Sequence, residues 1–99
     1  MSTTVIVSFQ AKSDQVQALS DFLSGIQAGV MEAGGLSISL LQDQDDATRF
    51  FEVETWPSAD AHKKFVQGAM EAGAFAPFDA LLAGPFQVNY LGTVKHSKA

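Results

Sequence analysis

Hydropathy alternates with two different periods along this chain, and the order in which those periods follow one another limits the fold more than any other feature. Thr4 to Ala11, TVIVSFQA, has a period of two, with Val5, Val7 and Phe9 on one side and Ile6, Ser8 and Gln10 on the other, as on a strand. Val16, Leu19, Leu23, Ile26 and Val30 then recur at spacings of three and four, which makes one apolar stripe on a helix. Ser13 or Asp14 can cap its start. Gly34-Gly35 ends it, because glycine accepts the left-handed conformation that follows a last turn.

LSISLLQD from Leu36 alternates again, QDDA turns, and RFFEVETW alternates once more, so the two strands read as a hairpin. Asp45 and Asp46 suit that turn because their side chains can bond nearby backbone. Pro57 stops the strand, Ser58 offers a cap, and ADAHKKFVQGAMEAG is helical. FAPFDALLAG adds a turn or two, with Pro77 tolerated only near its start. Gly84-Pro85 ends that segment, FQVNYLGTV is a fourth strand, and a polar tail occupies 95–99.

The order strand, helix, strand, strand, helix, strand predicts an α+β fold of the ferredoxin-like split βαβ plan (βαββαβ). Two right-handed crossovers around a hairpin give a four-stranded antiparallel sheet with both helices on one face. Ninety-nine residues with eight Phe supply one core, so 1–99 is expected to be a single domain. The chain has no Cys, which excludes thiolate metal sites, thiol nucleophiles and disulfides. No basic residues precede an apolar leader, and no run approaches the ~20 apolar residues of a membrane span. A cytoplasmic setting without membrane contact is the expectation. A net charge of −5, with six scattered Lys and Arg, sets nucleic acid aside.

Pairing the alternations gives two sheet faces. One collects Val5, Val7, Phe9, Leu36, Ile38, Leu40, Phe51, Val53, Phe86, Val88 and Tyr90. The other collects Ile6, Ser8, Gln10, Ser37, Ser39, Leu41, Phe50, Glu52, Glu54, Trp56, Gln87, Asn89 and Leu91. The second mixes large apolar groups with polar ones, so a partner sheet or a pocket would explain it. Which face carries the helices is open.

GGLSISLLQDQDDATRFFEVETWPSADAHKKF resembles the central signature of the antibiotic biosynthesis monooxygenase family: a Gly before an alternating strand, an acidic turn, a Phe leading into a Glu-x-Trp strand end, and a capped helix. Gly35, Asp43 to Asp46, Phe50, Glu54-Thr55-Trp56 and Ser58 carry it, and LLAGPFQVNYLGTV resembles the family's closing turn and last strand. The resemblance implies a homodimer whose two sheets face each other as an α+β barrel, with a ligand pocket in each subunit. It also implies oxidation of electron-rich aromatics such as anthrones or hydroquinones to quinones with O2, without metal or flavin. The quinone-forming members resemble an Asn, a Trp four residues on and a Tyr six further, where this chain has Glu52, Trp56 and His62. A His found in other members nine residues after the Trp is Phe65 here. The haem-degrading branch needs an Asn on the first strand and a helical Trp, which are absent, so that activity is the least expected.

Such chemistry requires a base, a stabiliser of the substrate anion and a dry hollow. His62 is the only side chain outside the tail whose ordinary pKa lies near neutrality, which makes it the expected base. The Trp56 N–H is the expected donor to a developing oxyanion, and Glu52 the orienter or second proton acceptor. Phe9, Phe51, Phe65, Phe75 and Phe78 are expected as walls, with Tyr90 and Asn89 as lesser candidates and His96 at the surface. Glu52 and Glu54, two apart on one strand face, also suit an acid pair. Each has a plainer reading: Trp56 as a corner plug beside Pro57, His62 as a solvated group at the border of an Ala61–Phe65–Ala69 stripe, the glutamates as salt-bridged or solvated acids, and the Phe set as core. No phosphate loop, dinucleotide fingerprint or hydrolase elbow is present, and two separated histidines make no metal site. The competing function is a non-catalytic small-molecule-binding or dimerisation module on the same scaffold.

Overall fold

In a computed structural model, which describes residues 2–99, the chain folds as β1 (Thr3–Gln10), α1 (Val16–Gly25), α2 (Gln27–Glu32), β2 (Ser37–Gln42), β3 (Arg49–Trp56), α3 (Ala59–Glu71), α4 (Phe78–Leu81) and β4 (Gln87–Leu91). The strands form one sheet in the order β2-β3-β1-β4, with every neighbouring pair antiparallel. This is the expected ferredoxin-like arrangement, in which β3 inserts between the two strands joined by the first crossover. A single chain leaves the sheet open; it does not close a barrel.

The first helix departs from expectation by breaking in two. The stripe Val16 to Val30 is continuous in sequence, but α1 stops at Gly25 and α2 restarts after Ile26. Glycine lacks the side chain that would hold the helix register, so the break falls there. Neither Ser13 nor Asp14 caps α1; Gln15 occupies the cap position and makes no side-chain bond to the helix. At the far end Gly34 adopts φ 109°, as the stop predicts. α3 begins as expected, with the Ala61 N–H donating to Ser58 Oγ at 3.1 Å. The acidic turn is held by Asp43 and Asp46: the N–H groups of Asp45 and Asp46 donate to Asp43 Oδ1, and that of Thr48 to Asp46 Oδ1. Asp45 makes no such bond, so Asp43 takes the place expected for it.

The pairing register corrects the faces. Val5, Val7 and Phe9 lie opposite Glu54, Glu52 and Phe50, and Ile38 and Leu40 lie opposite Glu54 and Glu52. Residues directly opposite share a face, so β3 is shifted by one position from the expected grouping. The helix-covered face therefore carries Phe50, Glu52, Glu54 and Trp56 among Val5, Val7, Phe9, Val88 and Tyr90. Phe51, Val53 and Thr55 lie on the open face with Ile6, Ser8, Leu41 and Leu91. The core holds Val5, Val7, Phe9, Leu19, Leu23, Val30, Phe50, Trp56 and Phe78.

Candidate functional site

Three polar side chains sit in that core. Glu52, Glu54 and His62 are each no more than 3 % exposed. The two glutamates follow from strand geometry, since positions two apart on β3 point the same way and both turn toward the helices. His62 follows from the Ser58 cap, which starts α3 in a phase that makes His62 the most deeply buried residue of that helix. The solvated reading of His62 is thereby removed.

Glu54 is the centre of the cluster. Its Oε1 accepts the Trp56 indole N–H at 2.7 Å and lies 3.9 Å from His62 Nε2. His62 Nδ1 lies 2.8 Å from the Tyr90 hydroxyl. The imidazole also meets the indole edge-on, with ring centres 5.4 Å apart. Oε2 of Glu52 is buried with no N–H or O–H group donating to it. An ionised carboxylate would be poorly stabilised there, whereas a protonated one can donate to Glu54. The electrostatics agree: burial, with the charge of Glu54 adding to it, pushes the Glu52 carboxyl up to about 8. Burial also raises Glu54, opposed by the bonds from Trp56 and Glu52. Glu52, the carboxyl without a donor, therefore holds a proton at neutral pH. Burial lowers the pKa of His62, which leaves its ring neutral, and burial together with the Glu54 charge raises that of Tyr90.

Glu52, Glu54 and His62 open on a small cavity walled by Val7, Phe9, Ile26, Val30, Phe65 and Phe75, with Phe78 and Phe86 closing it. Its volume of about 20 Å³ matches one water molecule and is far below the several hundred Å³ of a typical ligand site. The rings of Phe75, Phe78 and Phe86 form a common wall with an outer cleft of about 640 Å³. Among the described residues no group of three or more His, Cys, Asp or Glu is arranged to hold a metal ion.

Phe9, Phe65, Phe75 and Phe78 thus stand where walls were expected. Phe51 does not: it lies on the open face beneath the Arg49 guanidinium, 5.2 Å from its ring centre. Trp56 also departs from its expected role. The indole is fully buried, borders no part of the cavity and commits its N–H to Glu54. It packs on Phe65 and on Gly35, where an added Cβ would lie 2.8 Å from Val30 Cγ1 and 3.4 Å from Trp56 Cζ2. The corner-plug reading is right for its ring, and its N–H positions Glu54. The central role of Glu54 was missed, although the i, i+2 spacing of Glu54 and Trp56 is the signal that places a carboxylate beside an indole.

The open-faced ferredoxin-like sheet makes the chain a small α+β protein, with its acid–imidazole cluster buried under the helices. Over residues 2–75 the chain matches the family model described as antibiotic biosynthesis monooxygenase, and it belongs to that family. Solved structures agree in fold. Rv0793 from Mycobacterium tuberculosis is 20% identical with a TM-score of 0.82, covering 99% of this chain and 100% of that one. PA3566 from Pseudomonas aeruginosa is 24% identical with a TM-score of 0.80, at 95% of each chain. A structure solved as an antibiotic biosynthesis monooxygenase is 17% identical with a TM-score of 0.80, covering 94% of this chain and 99% of that one. None of the curated proteins compared matches the chain.

Proposed function

We propose that the chain is a cofactor-independent monooxygenase that oxidises an electron-rich aromatic, a hydroquinone or an anthrone-like compound, with O2. The observation that carries this reading is a neutral, buried imidazole facing an aromatic-walled hollow beside a carboxyl pair. Triplet O2 reacts poorly with closed-shell aromatics, but an aromatic anion can give up one electron first, after which the radicals couple. The site needs only to remove a proton, hold the anion and exclude water. His62 Nε2 takes the hydroxyl proton, and the Glu54 carboxylate at 3.9 Å stabilises the imidazolium that results. Protonated Glu52 adds no second charge beside it. For a hydroquinone, one O2 yields a hydroxyquinone and one water, which balances atoms and electrons. The substrate enters from the outer cleft by displacing the Phe75 and Phe86 rings, because the inner cavity cannot hold an aromatic ring as it stands.

The same reading includes assembly. Leu41 and Leu91 are 51% and 43% exposed on the open face beside Phe51 and Val53. A second copy laid sheet to sheet would cover them and complete the dimeric barrel.

The test follows O2 uptake by chelator-treated protein supplied with a panel of hydroquinones and anthrones. Protein-dependent uptake that falls about 10²–10⁴-fold in His62→Gln supports the enzyme. Uptake at the buffer rate across the panel gives the scaffold to the alternative of a non-catalytic binding or dimerisation module.

A further inference from the structure

His62 sits behind a wall of protein, so its ring protons can reach bulk water only along a polar path. The side chain is 2% exposed and lines the inner cavity, its Nε2 lies 3.9 Å from Glu54 Oε1, and its ring packs against those of Trp56 and Phe65. One polar contact leads outward. The Tyr90 hydroxyl lies 2.8 Å from Nδ1, and the Tyr90 ring stands edge-on to the imidazole at 5.4 Å between centres. Tyr90 is half-buried and borders a second surface cleft, of about 400 Å³, lined by Lys63, Val66, Gln67, Met70 and Glu71. Met70 borders both this cleft and the Phe-walled one, but Tyr90 borders this cleft alone, and Val66 and Val88 line both it and the inner cavity.

From this geometry we infer that Tyr90 is the conduit through which the buried His62 exchanges protons with water. The inference rests on the reading of His62 as the base. A proton received at Nε2 breaks the substrate O–H bond and forms N–H. The hydrogen on Nδ1 passes to the Tyr90 oxygen, and the phenol's own hydrogen passes to water in the cleft. One proton enters and one leaves, so the ring ends neutral as its other tautomer; when Nε2 returns its proton to the oxygen that leaves as water, the relay runs in reverse and restores the hydrogen on Nδ1.

The charged and titratable groups around the route suit it. From α3, the Lys63 ammonium lies 5.2 Å over the Tyr90 ring and Glu71 lines the same cleft, while burial and the Glu54 charge hold the phenol in its neutral form, as a neutral relay requires. From β3, Glu54 faces the opposite edge of the imidazole and favours its cationic form, and Glu52 beside it is neutral at pH 7. Tyr90 is the only tyrosine of the chain, so a tyrosine analogue supplied during expression replaces this group alone.

The experiment measures exchange of the His62 ring N–H protons with water by nitrogen-15 NMR, which needs no substrate. Tyr90→Phe keeps the ring and its packing but removes the oxygen, and is expected to slow exchange about 10-fold or more. Replacement by 3,5-difluorotyrosine keeps the hydroxyl, makes it more acidic and is expected to quicken exchange; this arm decides if Tyr90→Phe fails to fold. Equal exchange rates in the wild type and the two variants overturn the conduit. Altered exchange in a protein that oxidises no hydroquinone keeps the conduit and removes the oxygenase reading. Hydroquinone oxidation with unaltered exchange does the reverse.

Discussion

The two faces of β3 invert the usual rule. Its helix-covered side carries Phe50, Glu52, Glu54 and Trp56, and its open side carries Arg49, Phe51, Val53 and Thr55, so both carboxylates are inside while Phe51 and Val53 are outside. On β1 the order is ordinary, with Val5, Val7 and Phe9 covered and Ile6, Ser8 and Gln10 open. Burying charge is costly unless it is paired and hydrogen-bonded. On β3 the proton held by Glu52 and the Trp56 N–H lower that cost, and a hydrogen-bonded polar cluster is the outcome. The open side of the same strand carries no such chemistry and offers a flat surface to a partner.

Breaking the covered side should do the most damage. Trp56→Ala removes a fully buried indole and the donor to Glu54, and urea unfolding should show a loss of about 3–5 kcal/mol. Trp56→Phe keeps much of the ring volume but leaves the Glu54 oxygen short of a donor, for about 1–3 kcal/mol.

The acid pair should appear next, in the pH dependence of stability. Glu52 holds its proton more tightly folded, at about 8, than its ordinary 4.5, so folding takes up a proton between those values. The stability it contributes is intact below pH 4.5 and is lost as pH rises through 8, at up to about 1.4 kcal/mol per pH unit. The neutral, pKa-lowered His62 works in the opposite sense: its contribution is present above its ordinary 6.5 and is lost as pH falls. Denaturant titrations across pH 5–9 should therefore decline toward alkaline pH, and Glu52→Gln should flatten that limb while leaving the acid limb in place.

The open side should respond least. Val53→Thr should change the stability of dilute protein by no more than about 0.5 kcal/mol. If a second copy covers this face, the same change lowers the melting temperature only at protein concentrations where sedimentation shows dimers.

Much of the fold was legible because its signals are local. Ser58 before a helical stripe, Gly34 after one and Pro57 after RFFEVETW each act within a turn of where they stand. The break at Gly25 was hidden by apolar spacing that runs straight across it. The phase of β3 was hidden for a different reason. Phe50 and Trp56 sit on one side and Phe51 and Val53 on the other, so both sides look able to face a core, and two glutamates ordinarily indicate solvent. Only the cross-strand register, a long-range property, decides. The site followed the same division. His62 and the Phe walls were reachable from residue type, whereas the bonds joining Glu54, Trp56, His62 and Tyr90 depend on three elements meeting.

Gly35 lies outside the cavity, yet it governs how closely the end of α2 can settle onto the corner of the sheet. Val30, which touches it, and Ile26, one turn earlier, are both cavity walls. A methyl group at that glycine would push the helix outward like a shim under a hinge. The hollow around the glutamates could then be widened for a bulkier guest from a position that never meets it.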